Sequence, residues 1–114
     1  MNTQDETVYL PGDLQIVEGR VGDTVTLAAY GEIDMANAPE LDAALLRAEE
    51  SDVAQIILDL SAVTFIDSCG LRVLLVAERR SASDGKRLGM RLGDGQVARM
   101  MKLTAIDQMV NVLD

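Results

Sequence analysis

The chain has no histidine, no tryptophan and one cysteine, Cys69, among 114 residues. Each absence removes chemistry. Without histidine there is no Ser–His or Cys–His pair and no imidazole general base. A single cysteine supports neither an intrachain disulfide nor a cysteine zinc cage. The three aromatic residues, Tyr9, Tyr30 and Phe65, are too few for a base-stacking platform. Bases are scarce as well. Ten Lys and Arg face nineteen Asp and Glu, a net charge of −9, which argues against a nucleic-acid groove, since phosphate contacts need cations. The longest strongly apolar run, Val73 to Ala77, is far short of the ~20 residues that cross a bilayer. Met1 to Glu6 lacks the basic and apolar regions of a signal peptide. A soluble cytoplasmic protein without membrane or nucleic-acid partners is the expectation.

What is present is an ordinary globular composition, 48% apolar and 25% charged, sized for one domain. The charge is polarised: residues 1–67 hold 14 acids and 2 bases, residues 68–114 hold 5 acids and 8 bases. Such a dipole orients a charged protein partner during encounter.

Residues 1–12 are polar, end in Pro11-Gly12 and read as a loose lead-in; residues 13–114 read as the domain. Leu14, Ile16 and Glu18 alternate, Gly22-Asp23 makes a turn, and Thr24 to Tyr30 resumes a β pattern, which predicts a hairpin. A helix follows, with Asn37 as N-cap, Glu40 as its capping-box partner, and Pro39 in the first turn. Ala38, Leu41, Ala44, Leu45 and Ala48 share one face of it. Gln55 to Leu60 reads as a buried strand with Ile56, Ile57 and Leu58 inside. Ser61 to Ile66 reads as a connector.

A second helix opens after Asp67-Ser68-Cys69-Gly70. Leu71 to Ala77 is apolar almost all round, which predicts burial on most sides. It stops near Ser83-Asp84-Gly85. Lys86 to Leu92 reads as the second strand of a parallel βαβ unit. A short third helix carries Val97, Met100, Met101 and Thr104. Met109 to Leu113 fits a last edge strand or a short helix. The fold class is α/β: one domain, with a mixed sheet of four to five strands and helices packed on it. Met100, Met101 and Met109 read as core filler.

In α/β folds, ligands and modifications collect at loops leaving the carboxyl ends of strands, and Ser68 sits in such a loop. As a helix cap it would accept a bond from a backbone N–H. As a hydrolase nucleophile it would need glycine where Ile66 stands, and a histidine. As a carrier serine it would need an all-helical domain. As a phosphoacceptor it would place its phosphate on free backbone N–H groups at the positive end of the helix. A two-component receiver fails on its acids: Asp59 lies inside its strand, and no lysine follows a fifth one. Asp34 at a strand end and Asp67 before a helix also fit plain turn or capping carboxylates. Gly70 fits a close backbone approach, and Cys69 a small, partly buried residue.

Gly31-Glu32-Ile33-Asp34, followed some thirty residues later by Leu58-Asp59-Leu60 and Val63-Thr64-Phe65-Ile66-Asp67-Ser68-Cys69-Gly70-Leu71, resembles the STAS domain of bacterial anti-sigma factor antagonists. The resemblance spans about residues 13 to 113. It implies a single STAS-like domain that is a switchable binding protein and not an enzyme, with no cofactor or metal. The unphosphorylated form would bind an anti-sigma factor with serine kinase activity and free a sigma factor. Phosphorylation of Ser68 would release it, and a PP2C-type phosphatase would reset it. The resemblance places partner contacts at Asp34, Asp67, Ser68, Cys69, Gly70, Leu71 and Arg72. Cys69 stands where many relatives carry a second Ser or Thr, and Ala105 where the family often has glycine. The other readings are a non-switching STAS subunit of a larger assembly, such as a lipid-transport complex, and a carrier protein modified on Ser68.

Overall fold

The computed structural model describes residues 13–85 and 87–114; the expected lead-in, residues 1–12, lies outside them. Strands β1 (Leu14–Val21) and β2 (Thr24–Ile33) form the expected antiparallel hairpin, closed by the pair Val21 and Thr24. Helix α1 (Ala38–Glu50) leads to β3 (Gln55–Ile66), which lies parallel to β2. Helix α2 (Ser68–Asp84) then leads to β4 (Arg87–Arg91), parallel to β3. Helix α3 (Gln96–Leu103) and a 3-10 turn (Ile106–Gln108) complete the described elements. The sheet has four strands in the order β1-β2-β3-β4.

Alternation dictates the core. Val25, Leu27, Ala29 and Ile33 of β2 and Ile56, Leu58 and Leu60 of β3 are buried on one face of the sheet, as the period of two requires. Ile57, expected inside, is half-buried: it points to the opposite face, where the helices do not cover it. All five apolar residues of the α1 stripe are buried. Each buried leucine contributes roughly 1.5–3 kcal/mol over an exposed one. Helix α2 corrects a second expectation. Leu71, Leu74 and Ala77 are buried, Val73 and Leu75 are half-buried, and Val76 is exposed, so one face alone meets the core.

The expected connector Ser61–Ile66 is strand. Between Ala28 and Tyr30 of β2 the partners on β3 step from Asp59 to Ala62, and between Gly31 and Glu32 from Val63 to Phe65. Each step gives β3 one extra residue, a bulge that re-aims the side chains beyond it. The first is braced locally: the Asp59 carboxylate accepts from the Ser61 N–H at 3.0 Å and from its hydroxyl at 2.6 Å. Inward positions shift from Leu60 to Val63 and Ile66, so alternation read from sequence ends at the bulge although the strand continues.

Helices α1 and α2 are tied by Arg80. Its Nε donates to Glu49 at 2.8 Å and its guanidinium reaches Asp42 at 3.1 Å. These carboxylates, Glu49 foremost, hold the guanidinium pKa above its ordinary value. The C-terminal residues form no strand. Val112 makes a single parallel bridge to Met90, and the Asp114 carboxylate accepts from the Leu92 and Gly93 N–H groups at 3.1 and 2.9 Å. Of the three methionines expected as core filler, Met101 is buried, whereas Met100 and Met109 are exposed. Thr104 caps α3 from just beyond its last turn. None of the described helices is long and apolar enough to cross a membrane.

Candidate functional site

Strands β2 and β3 run parallel, so their carboxyl ends bring two loops side by side: Asp34 to Asn37 after β2, and Asp67 after β3. The Asp67 N–H donates to the Ile33 carbonyl at 3.1 Å. The Asp67 carboxylate then does two things. One oxygen accepts from the N–H groups of Cys69 and Gly70 at 2.9 and 3.0 Å, which caps α2. The other accepts from the Met35 N–H at 3.0 Å, which locks the two loops together.

The cap of α2 is therefore Asp67, in extended backbone at φ −99° and ψ −175°, and Ser68 is already the first helical residue. The capping reading of Ser68 is corrected. Its side chain is exposed, and among the described residues its hydroxyl makes no hydrogen bond. Four helical N–H groups begin a helix without intrahelical partners, and Asp67 satisfies two of the set here. Ser68 stands at the positive end of a 17-residue helix.

Asp34 braces the neighbouring loop just ahead of α1. One carboxylate oxygen accepts from the Ala36 and Asn37 N–H groups at 2.9 and 3.1 Å, and its carbonyl accepts from the Ala38 N–H at 2.7 Å. This overturns the expected capping box. Asn37 sits at φ −111° and ψ −6°, in helical backbone, with no side-chain bond to the helix. Its amide instead accepts from the Asp34 N–H at 2.8 Å and donates to the Glu32 carbonyl at 2.9 Å. Asn37 thus keeps the N-cap position, while its side chain braces the loop from inside.

Of the residues named from sequence, Ser68 and Arg72 are exposed, and Asp34, Asp67 and Cys69 are partly so. Gly70 and Leu71 face the interior. Helical rotation of about 100° per residue separates them from the outward positions. A Cβ on Gly70 would lie 2.6 Å from Ile66 Cγ1 and 2.7 Å from Ile33 Cγ2. The glycine is what lets α2 start directly against the ends of both strands.

The surface also includes residues that sequence reasoning passed over. Met35 is 73% exposed and Phe65 46% exposed, both large apolar side chains in or beside the paired loops. Val76 continues the outward stripe of Ser68 and Arg72 at spacings of four. With Asp42 of α1, the α2 residues Cys69, Arg72, Val73 and Val76 line a shallow cleft of about 320 Å³. The signal for Met35 was an apolar residue inside a turn, which burial cannot explain. The surface joins a free hydroxyl, flanking carboxylates and unburied apolar groups. It is suited to docking a protein, with polar groups beside apolar side chains that burial does not claim.

A sequence-family model described as "Mlab, STAS domain" matches residues 16–112. Among solved structures, an anti-sigma factor antagonist from Mycobacterium paratuberculosis superposes with a TM-score of 0.82 at 24% identity, over 92% of this chain and 89% of the other. A Thermotoga maritima protein gives a TM-score of 0.77 at 26% identity, over 87% and 86%. The Bacillus cell fate determinant SpoIIAA in its phosphorylated form gives 0.66 at 18% identity, over 88% and 92%. The four-stranded mixed sheet, the paired loops and the match over nearly all of the described residues agree: the chain belongs to the STAS domain family.

Proposed function

We propose that the protein is an anti-sigma factor antagonist whose binding is switched by phosphorylation of Ser68. One observation carries the reading: Asp67 caps α2, which leaves the Ser68 hydroxyl exposed and without a structural task. A phosphate there would meet the helix N-terminus, where anions are stabilised by about 0.3–1 kcal/mol, so the fold tolerates both states. Solved relatives include an anti-sigma factor antagonist and SpoIIAA in a phosphorylated form. The unmodified protein would bind a cytoplasmic anti-sigma factor that is also a serine kinase. Met35, Asp34, Ser68, Cys69 and Arg72 would form the contact, and a PP2C-type phosphatase would restore Ser68. The protein supplies the surface, and its partners supply the chemistry.

The test is calorimetric affinity for the anti-sigma partner before and after phosphorylation, with intact mass recording the modification. Tight binding by the unmodified form and loss of binding by the phosphorylated form are expected. The description of the matching family model favours a second reading, a non-switching STAS subunit docked by the same surface. Equal affinities in both states, or no modification by the kinase, would establish that alternative instead.

A further inference from the structure

The sheet has an edge that the proposed switch does not use. Strand β1 is terminal in the order β1-β2-β3-β4, and among the described residues no strand pairs with its outer side. The hairpin turn has two residues and closes on the pair Val21 and Thr24. In such a turn the closing pair exchanges hydrogen bonds. Val17, Gly19 and Val21 therefore turn their backbone groups toward β2, and Ile16, Glu18 and Arg20 turn theirs outward. An open row of this kind is a template for another strand.

We infer that β1 is a self-association edge, pairing antiparallel with β1 of a second copy in the register that sets Gly19 opposite Gly19. The sequence of the strand selects that register. Antiparallel partners must share a face, so each allowed register is displaced from the next by two residues. With Gly19 central, Glu18 faces Arg20 of the second copy and Arg20 faces its Glu18, both as hydrogen-bonded pairs. Val17 faces Val21 and Val21 faces Val17, in the non-hydrogen-bonded positions where side chains approach most closely. Centring on Glu18 would set two carboxylates together, and centring on Arg20 two guanidinium groups.

The side chains that gain are the ones left open in the single chain. Val17 is 47% and Val21 85% exposed. Edge strands are normally protected by charge, but here opposite charges two residues apart make the edge complementary to itself. Arg20 already meets Asp52 at 2.9 Å and the Gly22 carbonyl at 3.1 Å. Its five donors leave capacity for Glu18 of the second copy. One strand pair buries less than the ~1,200 Å² of a stable interface, so the dimer is weak and concentration-dependent. It leaves the Ser68 surface open. Gly19 lies opposite Thr26, and the seven residues from there to Ile33 span about 23 Å at ~3.3 Å each.

Gly19 supplies the test. A Cβ built on it meets nothing within 4 Å, so Gly19→Cys is accommodated by the fold. In a Cys69→Ser background, Gly19→Cys should form a disulfide-linked dimer under mild oxidation much faster than Glu18→Cys. Sedimentation of the unmodified chain should show reversible dimerisation on approaching about 1 mM. Val17→Lys with Val21→Lys should weaken it at least tenfold while circular dichroism is unchanged. Faster cross-linking at Glu18→Cys, or association unaffected by the lysines, overturns the register. A monomer at every concentration overturns the proposal, whether the edge stays open or is occupied by residues 1–12.

Discussion

The carboxylate of Asp67 binds the backbone N–H of Met35 at 3.0 Å across 32 residues of sequence. With its other oxygen capping α2, one side chain fixes the start of a helix and the neighbouring loop. Asp67→Ala should therefore cost more than an ordinary cap. We expect about 2 kcal/mol in urea melts, at the upper end for cap removal, because the Met35 N–H also loses its acceptor. Asp67→Asn should recover part of the loss, since its amide oxygen still accepts. A loss for Asp67→Ala below about 0.5 kcal/mol, within the range of ordinary surface substitutions, would count against the lock.

Gly70 invites a second measurement. Its missing side chain allows α2 to begin against Ile33 and Ile66 at distances no Cβ tolerates. Gly70→Ala gains helix propensity of nearly 1 kcal/mol but must push two isoleucines or lift the helix start, typically costing 1–3 kcal/mol. Net destabilisation is expected, with weakened partner binding through the displaced Ser68 turn. Stabilisation by Gly70→Ala would show that the contact relaxes freely.

Much of this was legible because it is local. The α1 stripe from Ala38 to Ala48 and the β1–β2 turn follow from spacing within one element. The misreadings share a different origin. Ser61 to Ile66 was unreadable as strand because its two bulges are set by pairing with β2, thirty residues upstream. Asn37 and Ser68 both looked like caps, being Asx or Ser before apolar helices. For α2 the acceptor is Asp67, one residue earlier, the other capping carboxylate the sequence offers. For α1, Asn37 keeps the N-cap position, but its side chain is drawn back to the Asp34 N–H and the Glu32 carbonyl, contacts that sequence alone does not show. Ile57 was misplaced because an apolar run does not show that one face of its sheet lacks helices.

Ala105 is in the left-handed region at φ 60°, the one described residue other than glycine with positive φ. The conformation costs a residue with a Cβ about 1–2 kcal/mol, and the side chain is exposed. Ala105→Gly should relieve that strain at the loss of some unfolded-state order, a net gain of roughly 0.5–1 kcal/mol. Thermal melts would detect it; an unchanged or lower midpoint would refute it.

Asp114 sets an acid limit on the C-terminal segment. Hydrogen bonds from the Leu92 N–H first, then the Gly93 N–H, lower its pKa below the ordinary value of 3.8. The folded state thus binds this proton more weakly than the unfolded chain. Its contribution is complete above the ordinary value and is lost as pH falls through the lowered one. Amide shifts of Leu92 and Gly93 should titrate together with a midpoint below 3.8, and Asp114→Asn should abolish that titration. A midpoint at or above the ordinary value would show that the carboxylate is not held.

Ser68 carries the charge prediction. Phosphate adds about −1.5 to −2 charges to a surface that already holds Asp34 and Asp67. The helix N-terminus offsets part of this within the free protein, so circular dichroism should not change. Docking adds a separate penalty, because the partner's own groups are brought against a desolvated phosphate. At an effective dielectric of about 20, one like charge roughly 6 Å away costs about 3 kcal/mol, close to a hundredfold in affinity. Ser68→Ala should therefore bind the anti-sigma partner constitutively and escape release by the kinase. Ser68→Glu should bind more weakly than wild type but more tightly than the phosphoprotein, because it brings one charge in place of nearly two. The ordering is the diagnostic feature, read by calorimetry on all four species at one salt concentration. If Ser68→Ala and Ser68→Glu bind equally, charge at this position does not govern docking, and the exposed hydroxyl has no part in a switch.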